Sequence, residues 1–367
     1  MDFPPEFDLA LACCRRRAGP ARDSLVRDRA KGVDWGFFLK VVRRHRVEGL
    51  AHDSLKQAGI ALPAAIGSAL AAEAQNIARQ NLFFAAEAGR LHALLERASV
   101  AHLFVKGVTL NILAYASLAL KRSCDIDLLV APESYADACA LLEQAGYVCT
   151  MPGPSRSDML RYSEAAKDTL WRHPGSGLVV ELHRRLMMNP LLLPQVTARS
   201  PRQEVAVATN VVLPTLARDE LFAYLCAHGA VTAWSRLKWA ADVAALLEGE
   251  DEAGLEALYR RALALRPGRS IAQALLLLRR LFDLPLGADL AAELESDPVN
   301  RWLVRTAMRT MVQGGAAAEL HEQRFGTARI NLGAYLLGRG WRYKAREALQ
   351  KLASVRSRGA SPIPDGI

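Results

Sequence analysis

Apolar side chains recur every three to four positions between residues 33 and 97, which is the period of an amphipathic helix. One such stripe consists of Trp35, Phe38, Leu39 and Val42. The alanine-rich segment from Ala64 to Leu95 carries a second stripe, and Gly59 and Pro63 lie between the two. The pattern therefore predicts at least two helices that bury one face each.

Near residue 101 the hydrophobic period changes from that of helices to that of strands. His102 to Val105 is a short apolar run that ends at Lys106-Gly107, which predicts a buried strand leading into a turn. The elements expected next are a helix over Val108 to Leu118, a strand over Ser123 to Val130, a helix over Glu133 to Ala145, and a further strand after Gly146-Tyr147. This alternation indicates a compact mixed α/β core.

Two alternating runs between Thr169 and His183 flank the sequence Pro174-Gly175-Ser176-Gly177, which is typical of a β-hairpin. After about residue 215 the period is helical again. Asp219 is expected to be the N-cap of a helix over Glu220 to His228, and longer amphipathic helices are expected over Leu237 to Leu247 and Ile271 to Phe282.

These elements predict an α+β protein, with a small mixed-sheet core between N-terminal helices and an all-helical C-terminal domain. We divide the chain into a helical region (1–98), the α/β core (99–212), the helical domain (213–356) and a flexible tail (357–367) rich in Gly, Ser and Pro. With 367 residues, 51% of them apolar, the chain is long enough to bury more than one core.

The composition indicates in which compartment the protein works and what kind of partner it binds. The six cysteines form no CxxC pair, the first ten residues lack the pattern of a signal peptide, and no apolar run is long enough to cross a bilayer. We therefore expect a cytoplasmic protein with no membrane partner and with Cys13-Cys14 in a flexible N-terminus. The net charge of +9 suits an anionic ligand, but the basic residues are scattered, so nucleic acid is a less favoured partner than a triphosphate.

The most informative stretch is Cys124-Asp125-Ile126-Asp127-Leu128-Leu129-Val130. Because side chains alternate along a strand, Asp125 and Asp127 project to the same side. Two neighbouring carboxylates repel each other unless a cation or a shared proton offsets the repulsion, and oxygen ligands of this kind suit Mg²⁺. We expect that removing either charge leaves the fold intact or slightly more stable. By itself, a DxD also occurs by chance at the exposed end of a strand.

Two further segments strengthen the metal hypothesis. Lys106-Gly107 lies at a strand-to-helix junction, where glycine allows close approach of a phosphate and the following helix supplies N–H donors; the alternative is a plain turn with an exposed lysine. In the run from Leu178 to His183, Glu181 and His183 share one face. Glu181 would complete the three carboxylates used in two-metal phosphoryl transfer, or it would pair with Arg184 or Arg185 as a structural ion pair.

The pattern of these residues resembles the uncharacterised nucleotidyltransferase family of the DNA polymerase β superfamily. The resemblance spans roughly residues 33 to 250, and it rests on Lys106-Gly107, Tyr115, Arg122, the Asp125 to Val130 run, Gly146-Tyr147, Glu181-Leu182-His183 and His228-Gly229, followed by Trp234, Arg236, Leu237, Trp239 and Asp242. It implies a mixed-sheet nucleotidyltransferase core, two Mg²⁺ ions, with Mn²⁺ as a substitute, at Asp125, Asp127 and Glu181, and transfer of a nucleotidyl group from an NTP with release of pyrophosphate.

Nucleotide contacts are assigned to Lys106, Gly107, Arg122, His183, Arg236, Lys238 and Asp242. Arg236 and Lys238 would meet phosphates, and Asp242 would orient one of them or a base. Trp234 and Trp239 are expected in the core, and His228 is expected to be an interior histidine. The spacing of His102, His173 and His183 does not suggest a zinc site.

The chain departs from the superfamily pattern in two ways. Gly107-Val108 replaces the usual Gly-Ser turn and lies farther from the DxD, so a serine contact to the triphosphate is missing. The third acid is Glu181 rather than an aspartate.

We expect a nucleotidyltransferase that acts on an unidentified acceptor, which is a small molecule, a peptide or a protein. The alternatives are a related phosphoryl or sugar-phosphate transfer to a peptide or polysaccharide precursor, and a noncatalytic nucleotide-binding protein of the same fold.

Overall fold

The computed structural model describes residues 3–16, 19–153, 155–312 and 326–358. The expected tail begins at Ser357, but the last helix continues to Arg358, and residues 359–367 lie outside the described part. No helix within the described residues is long and apolar enough to cross a membrane.

Within the described residues, five helices precede the sheet, three of them in the region between residues 33 and 97 where the helical period predicts at least two. They are α1 (Pro5–Cys13), α2 (Pro20–Arg29), α3 (Trp35–His45), α4 (Glu48–Gln57) and α5 (Ala64–Arg97). Helix α3 begins at a capped end, where the Asp34 carboxylate accepts a hydrogen bond from the backbone N–H of Phe37 at 3.0 Å. Helix α5 is 34 residues long, and its C-terminal half packs against the sheet. Cys13 and Cys14 were expected in a flexible segment, but both are fully buried at the end of α1 because that helix packs into the core.

The central sheet has five strands in the order β1-β2-β5-β4-β3. Its elements are β1 (His102–Phe104), α6 (Val108–Tyr115), β2 (Ile126–Val130), a 3-10 turn (Pro132–Ser134), α7 (Tyr135–Gln144), β3 (Val148–Met151), α8 (Arg156–Ala165), β4 (Asp168–Arg172) and β5 (Val179–His183). Strands β2 and β5 are parallel, and all the other neighbours are antiparallel. The predicted hairpin is β4–β5, and the sheet is mixed, as expected.

The parallel pair β2–β5 brings the predicted acids together. Asp127 is the register partner of Glu181, and Leu129 is the register partner of His183. Because directly opposite residues of neighbouring strands are the closest pairs in a sheet, the two carboxylates are adjacent although 54 positions separate them in the sequence.

The remainder of the described chain is a two-stranded sheet followed by helices. These elements are β6 (Arg202–Ala208), β7 (Val211–Leu216), α9 (Arg218–Val231), α10 (Leu237–Leu246), α11 (Glu252–Leu263), α12 (Ser270–Phe282), α13 (Ala288–Ser296), α14 (Pro298–Val312), α15 (Gly326–Leu337) and α16 (Trp341–Arg358). The N-cap of α9 is Ala217 rather than Asp219. Asp219 instead lies in the first turn, where its carboxylate accepts a hydrogen bond from Arg261 at 2.7 Å.

Two clusters of buried apolar side chains cover the two faces of the sheet. One cluster joins the N-terminal helices to the C-terminal helices, and it includes Leu103 and Leu129 of the sheet. The other lies between the C-terminal half of α5 and the opposite face, which presents Leu128 and Leu182. The helices before and after the sheet therefore share one core, and the division at residues 98 and 212 remains a proposal about sequence units.

Candidate active site

The loop before β2 is held in place by buried amide side chains. Asn81 of α5 is fully buried, and its Nδ2 donates to the carbonyl oxygens of Leu118 and Lys121 at 2.5 and 2.7 Å. Its Oδ1 accepts from the backbone N–H of Ser123 at 3.0 Å, and Asn111 of α6 donates to the same Lys121 carbonyl at 2.9 Å. These bonds fix the path of the chain directly before the DxD, because any other path would leave these buried amide and carbonyl groups without hydrogen-bond partners.

Asp127 is the most enclosed of the three predicted acids, with 2% of its surface exposed. Lys106 Nζ lies 2.8 Å from its Oδ1, and His183 Nε2 lies 3.1 Å from the same oxygen. Burial alone would raise the pKa of Asp127, but Lys106 and His183 outweigh it and hold the pKa well below its usual range. Asp127 is therefore ionised, and both of its close partners meet a single oxygen.

Glu181 faces the same side of the sheet with a carboxylate that is about a quarter exposed. Its Oε2 lies 3.3 Å from His183 Nε2 and 3.7 Å from Lys167 Nζ. The basic partners are thus His183 and Lys167 rather than Arg184 or Arg185. Burial opposes ionisation of Glu181, yet the hydrogen bond from His183 lowers its pKa overall.

Asp125 lies one residue before β2 and behaves differently from Asp127. It has no hydrogen-bond partner among the described residues, and its partly exposed carboxylate faces a cavity. Burial, followed by the charge of Asp127, raises its pKa to about 6. Lys106 contacts Asp127 directly and Asp125 has no such contact, so the charge of Asp125 is the less compensated of the two.

A cavity of about 240 Å³ lies over these carboxylates between the sheet and helices α9 and α10. Its walls combine six basic side chains (Arg46, Lys106, Lys121, Arg122, Lys167, Lys238) with four acidic ones (Asp125, Asp127, Glu181, Asp242). A cavity with this excess of positive charge attracts polyanions. Sequence reasoning missed Arg46, Lys121 and Lys167, because they come from the end of α3 and from two loops whose composition carries no signal.

The turn at Gly107 lies in the cavity wall, as its sequence pattern suggested. Gly107 is the N-cap of α6 and has φ of 67°, a left-handed conformation that glycine adopts without strain. Ser123, which also lines the cavity, has its Oγ within 3.8 Å of the position that a Cβ on Gly107 would take. A hydroxyl therefore stands beside the turn, although it comes from the following loop rather than from the turn itself.

Of the remaining predicted nucleotide contacts, Arg122, Lys238 and Asp242 line the cavity, and His183 and Arg236 do not. Burial, followed by the charges of Lys121 and Arg46, lowers the pKa of Lys238 to about 8. The two oxygens of Asp242 already accept from Tyr115 and Lys121.

His183 and Arg236 do not line the cavity. The His183 side chain is fully buried behind Asp127, and burial would lower its pKa, but the hydrogen bonds with Asp127 and Glu181 raise it overall. The guanidinium of Arg236 donates to the backbone carbonyl of Arg44 at 3.2 Å. His183 thus supports the carboxylates, and Arg236 joins α10 to α3.

The aromatic residues after α9 divide between the core and the cavity. Trp234 is fully buried, as expected, and Gly229 makes room for it, since a Cβ there would lie 2.5 Å from the indole ring. Trp239 and His228 are instead half-buried and line the cavity, with their rings edge to face at 5.6 Å. The cavity therefore has one aromatic wall that the sequence reading placed inside the core.

A second cavity, of about 610 Å³, adjoins the first and shares Arg122, Ser123 and Cys124 with it. Its wall includes Phe83, whose surface is 65% exposed, and Leu178 at the start of the hairpin strand. The two cavities together offer an ionic space over the carboxylates and a more apolar space beside it.

Comparison with known proteins agrees with this arrangement of residues. The model of a family described as uncharacterised nucleotidyltransferase matches residues 31–283, from the end of α2 to the end of α12. No curated protein and no solved structure matches the chain. The family match includes the whole sheet, both cavities and more than half of the 367 residues, and the chain therefore belongs to this family of uncharacterised nucleotidyltransferases.

Proposed function

We propose that the protein is a Mg²⁺-dependent nucleotidyltransferase that transfers a nucleoside monophosphate from an NTP to an acceptor hydroxyl. The acceptor oxygen forms a bond to the α-phosphorus, the bond from that phosphorus to the β-phosphate oxygen breaks, and pyrophosphate leaves. The observation that carries this proposal is the convergence of three carboxylates from β5 and the start of β2 on one cavity whose lining has more basic than acidic side chains.

The donor atoms around the sheet suit magnesium. The closest contacts of both partners of Asp127 are with Oδ1, and those of both partners of Glu181 are with Oε2. No hydrogen bond among the described residues reaches the second oxygen of either carboxylate. Both oxygens of Asp125 are available as well. Oxygen donors of this number and charge match the preference of Mg²⁺. When bound, the metal ions would neutralise phosphate charge and lower the pKa of the attacking hydroxyl.

The basic residues of the cavity have separate tasks in this proposal. Lys106 holds Asp127 ionised and presents its charge beside the Gly107 turn, where phosphate oxygens also meet the N–H groups of α6. Arg122 and Lys238 bind the outer phosphates, and the Ser123 hydroxyl supplies the contact that a Gly-Ser turn would otherwise make. Glu181 positions the acceptor hydroxyl and receives its proton, while His183 orients both Asp127 and Glu181 from behind.

The two cavities suit two substrates. The smaller one, of about 240 Å³, falls below the range of about 300–1,000 Å³ in which whole small ligands usually bind, so it would hold the phosphates rather than a complete NTP. The adjoining cavity, with the exposed ring of Phe83, would take the apolar part of a substrate next to Arg122. This arrangement leaves the reacting oxygen and phosphorus at the shared wall, beside Asp125.

A thermal-shift screen with Mg²⁺ and each of the four NTPs tests the proposal, with sugar nucleotides as further ligands. A ligand at 100 times its Kd adds about 2.7 kcal/mol of apparent stability. We expect stabilisation that needs both metal and nucleotide in the wild type and that disappears in Asp125→Asn. The same response in wild type and variant, or a flat response to every nucleotide, would count against the site.

A further inference from the structure

A second group of metal-binding side chains lies at the other end of β1, away from Lys106. His92 and Glu96 are one helical turn apart on α5, so they share a face of that helix. Helix α5 ends at Arg97, and the chain turns sharply at Ser99, which has φ of 56°. This turn places His102, the first residue of β1, beside the last turns of the helix.

The three side chains converge closely. One ligand atom from each of His92, Glu96 and His102 lies within 4.8 Å of the others. His92 Nδ1 and His102 Nε2 are 2.8 Å apart. In a tetrahedral zinc site with Zn–N bonds of 2.0–2.1 Å, two nitrogens are about 3.3 Å apart, so uptake of an ion requires the rings to separate by about 0.5 Å. The proton that His92 Nδ1 shares with His102 Nε2 must also leave Nδ1, by release to solvent or by a change of tautomer that protonates His92 Nε2.

The environment of His102 prepares one nitrogen to act as a ligand. His102 is buried, and its Nδ1 lies 2.8 Å from the carbonyl oxygen of Val100. A carbonyl only accepts hydrogen bonds, so Nδ1 carries the proton and Nε2 keeps its lone pair, directed at His92. Metal-binding histidines are commonly fixed in this way by a hydrogen bond on the other nitrogen. His92 and Glu96 are more exposed, which gives an ion a route from solvent.

We propose that His92, Glu96 and His102 bind a divalent transition-metal ion, Zn²⁺, with a water molecule in the fourth position. Two imidazoles and one carboxylate form a ligand set found in zinc enzymes, whereas Mg²⁺ prefers oxygen ligands alone. The ion fastens the C-terminal end of α5 to the edge strand β1, whose other end leads to Lys106 and Gly107. This site does not depend on the proposed transferase activity.

The test is zinc binding to the full chain after treatment with a chelator, measured by titration with ZnCl₂ and by metal content after desalting. The catalytic cluster of Asp127, Glu181 and His183 also holds donors within 4.8 Å of one another, so Asp127→Asn is tested in parallel. We expect wild type and Asp127→Asn to retain one tightly bound zinc. His92→Gln and Glu96→Gln, which alter the two more exposed ligands, should weaken binding at least tenfold.

His52→Gln is the matched control, because His52 is a half-buried histidine on α4 outside the cluster. It should bind zinc as wild type does, and zinc should raise the melting temperature of wild type and control alike. The proposal is overturned if the wild type binds no zinc after desalting, if His92→Gln and Glu96→Gln bind it as tightly as wild type, or if only Asp127→Asn, shown to be folded by circular dichroism, loses it. In the last case the zinc belongs to the catalytic cavity.

Discussion

Two buried aspartate–lysine pairs lie in the same cavity, one on the sheet and one on the helical wall. On the sheet, Lys106 and His183 both contact Oδ1 of Asp127. On the wall, the Tyr115 hydroxyl donates to Oδ1 of Asp242 at 3.0 Å and Lys121 Nζ contacts Oδ2 at 2.6 Å. The first carboxylate keeps one oxygen for another ligand, and the second has partners for both.

We propose that this difference separates a ligand-binding pair from a structural one. A carboxylate whose two oxygens already accept hydrogen bonds from buried partners offers a metal ion fewer lone pairs than a carboxylate with a free oxygen. Asp242 and Lys121 instead connect α10 to the loop before the DxD. The Lys121 carbonyl in that loop also accepts hydrogen bonds from the buried amides of Asn81 on α5 and Asn111 on α6. The residue types are the same and both pairs are largely buried, with side-chain exposures of 19% and 1% for Lys106 and Asp127 and of 9% and 3% for Lys121 and Asp242. The use of individual oxygens is the clearest difference between them.

The largest expected effect is that of Asp127→Asn. Pyrophosphate release should fall about 10³-fold or more, since an amide is a poor metal ligand and several kcal/mol of transition-state stabilisation is lost. The variant should also be less stable, because Lys106 remains buried without its partner, and breaking such a pair costs about 3–5 kcal/mol. This revises the expectation, made from charge repulsion, that loss of either aspartate leaves the fold intact or stabilises it.

Asp125→Asn is the matched control for stability. The folded pKa of Asp125, about 6, lies above that of the unfolded chain, so folding favours its protonated form. Its contribution to stability is complete below the unfolded pKa and is lost as pH rises through 6. At pH 7 without metal, the Asn variant should therefore have a higher melting temperature than wild type, and its free energy of unfolding should be larger by at most about 3 kcal/mol. Its turnover should nevertheless be lost. Shifts of the same sign in the two variants would contradict this contrast.

The next effect concerns Glu181→Gln, which should lower kcat by several orders of magnitude and still allow binding of Mg-NTP. In two-metal transfer the third carboxylate serves mainly the acceptor, so its loss affects chemistry more than nucleotide binding. Measurements of kcat, nucleotide affinity and melting temperature on one preparation test this. A less stable but fully active variant would identify Glu181 as a structural partner of Lys167 and His183, and Asp168 would become the candidate third acid.

A smaller effect on activity is expected for Asp242→Asn. The variant should lose stability, by about 3–5 kcal/mol if the pair is purely structural, while turnover per folded molecule stays within about tenfold of wild type. The double variant Lys121→Met with Asp242→Asn should recover part of the lost stability, because no unpaired charge remains buried. Loss of turnover comparable to that of Asp127→Asn, in a folded protein, would place Asp242 with the ligands instead.

Local patterns were sufficient to predict much of the sheet and the positions of its acids. Strand alternation placed Asp127 and Glu181 on polar faces, and the hairpin turn at 173–178 fixed the order of β4 and β5. The parallel pairing of β2 with β5 makes Asp127 and Glu181 register partners. The sequence alone did not predict this pairing. The strand begins at Ile126 rather than Ser123, because the preceding residues bond to Asn81 and Asn111 instead of to a neighbouring strand.

Side-chain roles depended on long-range packing and were harder to predict. Nothing near His183 in the sequence indicates that its ring turns inward to meet Asp127, and nothing near Arg236 indicates that α3 supplies its acceptor. Arg46, the C-cap residue of α3 in the left-handed conformation, also lines the cavity. It reaches the loop before the DxD only because the N-terminal helices pack beside that loop. Contacts of this kind arise from tertiary structure and leave no period or motif in the chain.

The smallest expected effect concerns Lys238, the partly buried cation on the helical wall. Its pKa of about 8 means that the ammonium form, which binds phosphate, is lost in the free enzyme as pH rises through 8. In wild type, kcat/KM for the NTP should therefore fall across that range, by about tenfold if one charge-assisted hydrogen bond is involved. Lys238→Met should show the low value at every pH, and Lys238→Arg should stay high above pH 8, because a guanidinium remains charged. If kcat/KM has the same pH profile in the wild type and the Met variant, Lys238 does not contact the phosphates. The helical wall then shapes the cavity without binding the nucleotide.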